Sequence, residues 1–124
     1  MRVNYFDGYF VKALFSTWEE IKDNKGGGSM AIYVDFMQIE FKGYKWCHML
    51  ADTLQELHDF AALIEVDKRL FHRNASYPHY DVTVQMREIA IEYGAIPAGR
   101  KKIIECAKKL KVELHEQIAQ SEDY

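Results

Sequence analysis

Residues 44–66, YKWCHMLADTLQELHDFAALIEV, predict a β-strand that runs directly into an amphipathic helix. The strand is YKWCHMLA at 44–51. Asp52 or Thr53 then caps the helix, and Glu56 completes the T-x-x-E pattern of a capping box. Apolar residues at helical spacing form the buried stripe of this helix: Leu54, Leu57, Phe60, Ala61 and Ile64. A strand that leads straight into such a helix is typical of layered α/β folds.

Strands and helices alternate on both sides of this unit. Residues 30–36, MAIYVDF, predict the first strand, which we expect to continue through 37–41 until Gly43 turns the chain. The later elements are a strand at 69–72, a loop at 73–81, a helix at 82–93 that stops at Gly94, a small strand at 95–98 and a helix at 99–119. We therefore predict a small α/β domain over residues 30–120, in which a layered sheet of short strands is packed by three helices.

The segment before Met30 has a different character. Its apolar residues recur every three or four positions, at Val3, Phe6, Phe10, Leu14, Trp18 and Ile21, which predicts an amphipathic helix over about residues 4–23. A GGGS spacer at 26–29 follows, and Met30 directly behind it resembles a retained initiator. We interpret residues 1–25 as a partner-derived or accessory helix fused through this linker. The alternative is that these residues are the first helix of a native domain.

The aromatic face of this helix needs a groove, because an exposed aromatic stripe aggregates in water. We expect a protein-binding interaction in which six side chains act as anchors: Phe6, Phe10, Leu14, Phe15, Trp18 and Ile21. The spacer spans only about 11 Å as a random coil, whereas the helix is about 30 Å long. We therefore expect the helix either to dock within its own chain or to exchange between two copies, which would give a homodimer.

Composition excludes several other classes of protein. With 124 residues, of which 48% are hydrophobic, the chain is long enough to bury the core of one domain. The formal net charge is −3, so nucleic-acid binding is not expected. Cys47 and Cys106 form no C-x-x-C pair, which is typical of a protein in a reducing cytoplasm. No run is apolar enough for a signal peptide or a membrane span, so we expect no membrane association.

Five histidines invite a metal hypothesis, but their spacing matches neither H-x-H nor H-E-x-x-H. We therefore predict neither a metal site nor a cofactor. A folded cluster of His48, His79 and Asp81 is nevertheless compatible with the sequence, since residues 79 and 81 face the same way in an extended segment. The preferred interpretation is that Asp81 caps a helix starting at Val82 and that His79 forms a hydrogen bond within its loop.

Asp35 is the better candidate for a functional carboxylate, because it ends a predicted strand, where the crevice of α/β folds lies. Together with His48 and Arg87 it would hold a phosphate or a nucleotide, although the sequence has no glycine-rich phosphate loop. Cys47 is not expected to be a nucleophile activated by His48, because adjacent strand residues face opposite sides of a sheet. His58 is expected to be a structural histidine that lies against the sheet.

Five ordered blocks of the sequence resemble one known family: AIYVD at 31–35, WCHMLADTLQELHDFA at 46–61, FH at 71–72, HYDVT at 79–83 and REIAIEYGAI at 87–96. They resemble a small bacterial and bacteriophage family, catalogued as a domain of unknown function and numbered 4031. The resemblance covers about residues 30–98. It implies that the family's motif positions are Asp35, Trp46, His48, Asp52, His58, His79, Tyr80, Asp81 and Arg87.

The resemblance implies no activity, and the chain departs from the family's pattern in three places. The segment after Asp35 lacks the proline-containing loop of many members, while residues 1–25 and the lysine-rich last helix lie outside the resemblance. A short chain with such a tail is more similar to a phage-encoded member than to a cellular one.

The sequence therefore favours binding over chemistry. We predict a non-enzymatic, phage-encoded protein-binding module of the host cytoplasm that captures the aromatic helix. The alternative is a small nucleotide- or phosphate-binding domain, or a hydrolase, that uses five polar residues: Asp35, His48, His79, Asp81 and Arg87.

Overall fold

The structure is a computed structural model that describes residues 31–73 and 75–121. The described elements are β1 (Ile32–Val34), β2 (Ile39–Phe41), β3 (Tyr44–Ala51), α1 (Leu54–Leu63), a 3-10 turn (Lys68–Leu70), β4 (Phe71–His72), β5 (His79–Thr83), α2 (Val84–Glu92), β6 (Ile96–Pro97) and α3 (Arg100–Ser121). The predicted α/β class, with a small sheet and three helices, is confirmed for this part of the chain. The predicted helix at 4–23 and the spacer at 26–29 lie outside the described residues.

The long strand β3 is the centre of the sheet. The strand order is β4-β5-β3-β1-β6, and β2 pairs with the first half of β3. Neighbouring strands are antiparallel except for β1 and β6, which are parallel. Because β3 pairs with β1 at residues 49–51 and with β5 at residues 46–49, Met49 is paired on both edges.

Side chains of β3 point alternately to the two faces of the sheet. Cys47 and Met49 are fully buried on one face, where α1 packs and where His58 of α1 contacts Tyr80 of β5. His48 and Leu50 point to the other face, which is covered by the first turns of α3. The N-terminus of α1 is joined to α3, because the backbone N–H of Leu54 donates to Glu113 at 2.8 Å.

The predicted cap of α1 and the predicted turns at Gly43 and Gly94 are confirmed. Thr53 is the N-cap of α1, and its hydroxyl oxygen accepts from the backbone N–H of Glu56 at 3.2 Å. Gly43 has a φ of +83° in the tight turn between β2 and β3, a conformation that favours glycine. Gly94, with a φ of +115°, follows the end of α2, where the N–H of Ala95 donates to the carbonyl of Ala90 at 2.9 Å.

The predicted continuous strand over 30–41 is wrong, because the chain leaves the sheet at Asp35 and β2 is a separate strand. The Asp35 side chain replaces the strand ladder at this point, since its Oδ1 accepts from the backbone N–H groups of Met37 and His48. The predicted strand at 69–72 is shortened to Phe71–His72, because Asp67 caps a 3-10 turn by accepting from the N–H of Arg69 at 2.9 Å.

The predicted helix start at Val82 is also wrong. Val82 and Thr83 pair with Cys47 and Trp46 of β3, so β5 continues through both residues. Helix α2 begins at Val84, and Thr83 is its N-cap, accepting from the backbone N–H of Met86 at 3.2 Å. Asp81 is therefore a strand residue and not a helix cap.

Candidate functional site

Asp35 and His48 form the first pair of the site. The backbone N–H of Asp35 donates to the carbonyl of His48 at 3.0 Å, which fixes the two residues side by side. Nδ1 of His48 lies 2.6 Å from Oδ2 of Asp35, and Oδ1 of Asp35 accepts from the backbone N–H of His48 at 2.9 Å. Asp35 is only 6% exposed. This buried carboxylate fixes the orientation of the imidazole through Nδ1, and Nε2 of His48 remains able to bind another partner.

His72, His79 and Asp81 form a second group on the neighbouring strands. Asp81 is the register partner of His48, and His72 is that of His79, so all four side chains point to the same face of the sheet. Oδ1 of Asp81 lies 3.1 Å from Nε2 of His79, and Oδ2 of Asp81 lies 2.7 Å from Nε2 of His72. Asp81 is therefore shared between two imidazoles.

These four residues form one contiguous group, which we call the imidazole cluster: His48, His72, His79 and Asp81. The ring of His79 contacts His48 edge-on, with centroids 4.7 Å apart, and stacks on His72 at 5.1 Å. One potential ligand atom from each of His48, His79 and Asp81 lies within 4.8 Å of the others. The fold thus brings together the three residues whose clustering the sequence left open.

A cleft opens beside the imidazole cluster, between the sheet, the loop before β5 and the start of α3. Its larger part, about 480 Å³, is lined by Asp35, Phe36, Met37, Ala98 and Arg100. Its smaller part, about 320 Å³, is lined by Leu50, Ala75, Ser76, His79 and Ala107. Both parts share four lining residues: His48, Tyr77, Ile103 and Ile104. A largely apolar cleft with a few convergent polar groups is typical of a site for a small molecule.

The two central imidazoles have opposite protonation preferences. The hydrogen bond to Asp35 raises the pKa of His48 above its ordinary value, although burial opposes this effect. Burial lowers the pKa of His79, although its hydrogen bond to the carbonyl of Tyr77 opposes that shift. Adjacent titratable groups whose pKa values are pushed apart are a feature of acid and base sites.

The family model described as "Protein of unknown function (DUF4031)" matches residues 32–110, which is more than half of the chain. This chain belongs to the DUF4031 family. The match extends beyond residue 98 and includes the first half of α3, so the expectation that the last helix lies outside the family is wrong. No curated protein and no solved structure gave a significant match.

The other candidate residues of the DUF4031 domain lie away from the cleft. The Nε–H of Arg87 donates to the backbone carbonyl of Asp35 at 2.7 Å, and its guanidinium lies 5.0 Å from the centroid of the Phe36 ring. Arg87 therefore supports the end of β1 and does not line the cleft. Cys47 is buried on the opposite face from His48, as predicted, and burial raises the pKa of its thiol.

Two histidine predictions for the DUF4031 domain are confirmed by their contacts. His58 lies against the sheet, where its Nδ1 is 2.8 Å from the hydroxyl of Tyr80 and its ring is 4.7 Å from that of Phe71. His79 forms the predicted hydrogen bond, because its Nδ1 donates to the carbonyl of Tyr77 at 2.8 Å, but His79 itself begins β5 and is not a loop residue.

Sequence reasoning missed the residues that close the cleft, namely Tyr77, Arg100, Ile103 and Ile104. Ile103 lies in the predicted helix at 99–119, and helical periodicity does not indicate which strand it faces. One signal was present, because Ile104 next to Ile103 widens the apolar face of α3 beyond a simple stripe. His72 lies in the FH block of the family resemblance, but no local pattern indicates its partner, since it meets Asp81 only through the pairing of β4 with β5.

Within the two described ranges of the DUF4031 chain, no helix is both long enough and apolar enough to cross a bilayer.

Proposed function

We propose that this DUF4031 domain is a small hydrolase in which the imidazole cluster activates the attacking water. The observation that carries the proposal is the pair of Asp35 and His48, which approach to 2.6 Å and line a cleft of about 480 Å³. A carboxylate that orients an imidazole beside a cavity of ligand size is suited to proton transfer. The proposal takes up the alternative left open by the sequence and places catalysis ahead of protein binding.

The arrangement of charges supports hydrolysis. Asp35 faces His48 and Asp81 faces His79, so two carboxylates stabilise positive charge at the centre of the cluster. In the proposed reaction a water oxygen forms a bond to the phosphorus of an ester while the bond from phosphorus to the leaving oxygen breaks. One proton of the water passes to the cluster, and the leaving oxygen takes up a proton from solvent.

The cleft favours a small substrate with an apolar body and one anionic group. Phe36, Met37 and Ile104 supply apolar contact, and Arg100 is the cation among the residues that line the larger part. A guanidinium binds phosphate with paired hydrogen bonds. Phosphate monoesters or diesters of small apolar alcohols are therefore the substrates that we expect.

The test is an assay of the full chain on p-nitrophenyl phosphate, bis(p-nitrophenyl) phosphate and p-nitrophenyl acetate, with Zn²⁺, Mn²⁺ or Mg²⁺ added in turn. We expect turnover of a phosphate ester, and His48→Gln should lower the rate by about 10²- to 10⁴-fold. His115→Gln is the matched control, because His115 is exposed on α3 and lines no part of the cleft. Failure to hydrolyse any of these esters, or equal rates for His48→Gln and the parent chain, would contradict the proposal.

Protein binding is retained as a second proposed function, because one apolar patch stands out on the surface. This apolar patch consists of Phe36, Met37, Ile39, Phe41 and Tyr44 on the segment that leads into and around the β2–β3 hairpin. Phe36 is 63% exposed, Phe41 60% and Tyr44 56%. Large exposed apolar side chains that lie close together in the chain are candidates for an interaction surface.

The occupant that we propose for the apolar patch is the aromatic helix predicted at residues 4–23. Phe36 lies only two residues beyond β1, about 13 Å along the chain from Ile32. A helix about 30 Å long that ends at a short spacer before Met30 is long enough to reach the patch. Phe6, Phe10 and Trp18 would then be covered by this surface.

A double-mutant cycle in the full chain tests this second function. Trp18→Ala and Phe41→Ser should each lower the free energy of unfolding, by about 2 kcal/mol if each is an interface anchor. The double variant should lose little more than either single variant, because both changes break the same contact. Strictly additive losses would rule out this docking mode.

A further inference from the structure

The nitrogens of His48 and His79 that point away from the cluster are already satisfied. The carbonyl of Tyr77 can only accept, so Nδ1 of His79 carries a proton, and the neutral ring then has a lone pair at Nε2. The carboxylate of Asp35 likewise accepts a hydrogen bond from Nδ1–H of His48, so the second lone pair is at Nε2 of His48. Each ring therefore has one nitrogen in a supporting hydrogen bond and offers the other nitrogen as a ligand.

The carboxylate of Asp81 also has a supporting partner, which is His72. Nε2 of His72 lies 2.7 Å from Oδ2 of Asp81, so one carboxylate oxygen has a donor. The other oxygen, Oδ1, lies 3.1 Å from Nε2 of His79. When the His79 ring is neutral, two acceptors face one another across this distance, and such an arrangement is stabilised by a cation bound to both.

We propose that Nε2 of His48, Nε2 of His79 and Oδ1 of Asp81 bind one divalent transition-metal ion, for which Zn²⁺ is the best match. Two imidazole nitrogens and one carboxylate oxygen are a ligand set of catalytic zinc sites, in which the fourth position stays open. Mg²⁺ and Ca²⁺ match the group poorly, because they prefer oxygen ligands throughout. Each ligand also has a hydrogen-bond partner away from the proposed metal, namely Asp35, Tyr77 or His72. Metal-binding side chains commonly have such partners.

The separations among the ligand atoms fit one metal ion after a small adjustment. The three atoms lie within 4.8 Å of one another. Two ligands of a tetrahedral zinc site lie about 3.4 Å apart, from metal bonds of about 2.1 Å. Closing this difference requires rotation of side chains on β3 and β5 and no change in strand register, because His48 and Asp81 are already register partners.

This inference deepens the proposed hydrolase and rests on it only for the chemistry, since metal binding is measurable without any reaction. A bound metal would supply positive charge at the cluster, and Lewis-acid chemistry of this kind activates water for attack. His48 would then be a ligand and not the proton acceptor, the proton of the attacking water would pass to solvent, and Asp35 would be a positioning residue that orients the ring.

The experiment measures Zn²⁺ binding to the metal-stripped full chain by calorimetry, with Mg²⁺ as a parallel titrant. Co²⁺ serves as a spectroscopic probe of a site with nitrogen and oxygen ligands. We expect one Zn²⁺ per chain, no competition by Mg²⁺, and visible Co²⁺ absorption of a four- or five-coordinate site. Asp81→Asn and His79→Gln should each weaken Zn²⁺ binding by more than about 100-fold, beyond the loss typical of a supporting partner. His115→Gln should bind as the parent chain does.

The two proposals fail separately. Absence of stoichiometric Zn²⁺ binding, or equal affinity in Asp81→Asn, overturns the metal site, even if ester hydrolysis continues in the presence of a chelator. Tight binding that Asp81→Asn abolishes supports the metal site, even if no ester is hydrolysed, and in that case the hydrolase proposal falls. The Co²⁺ spectrum of the unmutated chain decides the matter if a variant does not fold.

Discussion

Alternate residues of β3 and β5 build two faces of contrasting character. On the core face, Cys47, Met49, Tyr80 and Val82 are at most 1% exposed. On the polar face, Asp81 joins His72 and His79 of the imidazole cluster, and His48 and His79 line a cleft. The apolar half of each strand therefore positions the polar half. A slip of one residue would exchange the faces, so the register that buries Met49 also aligns His48 with Asp81.

The largest expected effect comes from a cavity-forming substitution on the core face. Met49→Ala should lower the free energy of unfolding by about 2–5 kcal/mol, because it leaves a cavity at a fully buried position of the central strand. Urea denaturation measures the loss. Val112→Ala, at a position 58% exposed on α3, should change the free energy by less than about 0.5 kcal/mol. A loss for Met49→Ala as small as that of the control would show that the two faces do not differ in their contribution to stability.

The next effect comes from the polar face, through its orienting carboxylate. Asp35→Asn should weaken Zn²⁺ binding about 10- to 100-fold, because an amide cannot accept from Nδ1 of His48 and the backbone at both of its positions. Calorimetry gives the affinity, and Glu116→Gln, an exposed change on α3, is the control. Unchanged affinity with lowered stability would make Asp35 a purely structural residue.

A smaller effect is expected from the helix caps, which lie where a strand leads into a helix. Thr53→Ala and Thr83→Ala each remove a hydroxyl that accepts from a helix N–H, and each should cost about 1 kcal/mol of stability. Thermal unfolding measures the cost. If Thr83→Ala also abolishes Zn²⁺ binding while Thr53→Ala does not, the polar face depends on α2 more closely than its hydrogen bonds suggest.

The smallest expected effect is a difference in pH dependence between the two faces. The contributions of His58 and His48 to the free energy of unfolding should change in opposite directions with pH. Burial lowers the pKa of His58, so the unfolded chain binds a proton more readily, and the stability due to His58 is lost as the pH falls below about 6.5. The bond to Asp35 raises the pKa of His48, so its contribution is present below about 6.5 and is lost as the pH rises through the higher folded pKa.

Urea titrations of His48→Gln and His58→Gln across this pH range, with EDTA present, measure the two contributions. If the loss of stability relative to the parent chain changes with pH in the same direction for both variants, the assigned directions of the two pKa shifts are contradicted. Proton NMR titration of the two rings gives the pKa directions independently.

The extent of agreement between sequence and structure follows from the range of the interactions involved. Thr53, Gly43 and Gly94 act on residues within a few positions, so capping and turn chemistry predicted them correctly. The helix start after β5 was misplaced by two residues, because cross-strand pairing of Val82 overrode the local helical pattern. Of the cluster, only the shared direction of His79 and Asp81 was predictable, since it depends on strand periodicity alone.

The sequence by itself determined the α/β class, the central strand with its helix, and the opposite facing of Cys47 and His48 on that strand, because these depend on hydrophobic periodicity and short-range capping. The tertiary structure decided that His48 lies beside Asp81, that His72 supports Asp81, and that α3 closes a cleft lined by His48 and His79. Those contacts join residues far apart in the chain. They depend on strand register and order, which are set by the packing of the whole core and not by any local pattern.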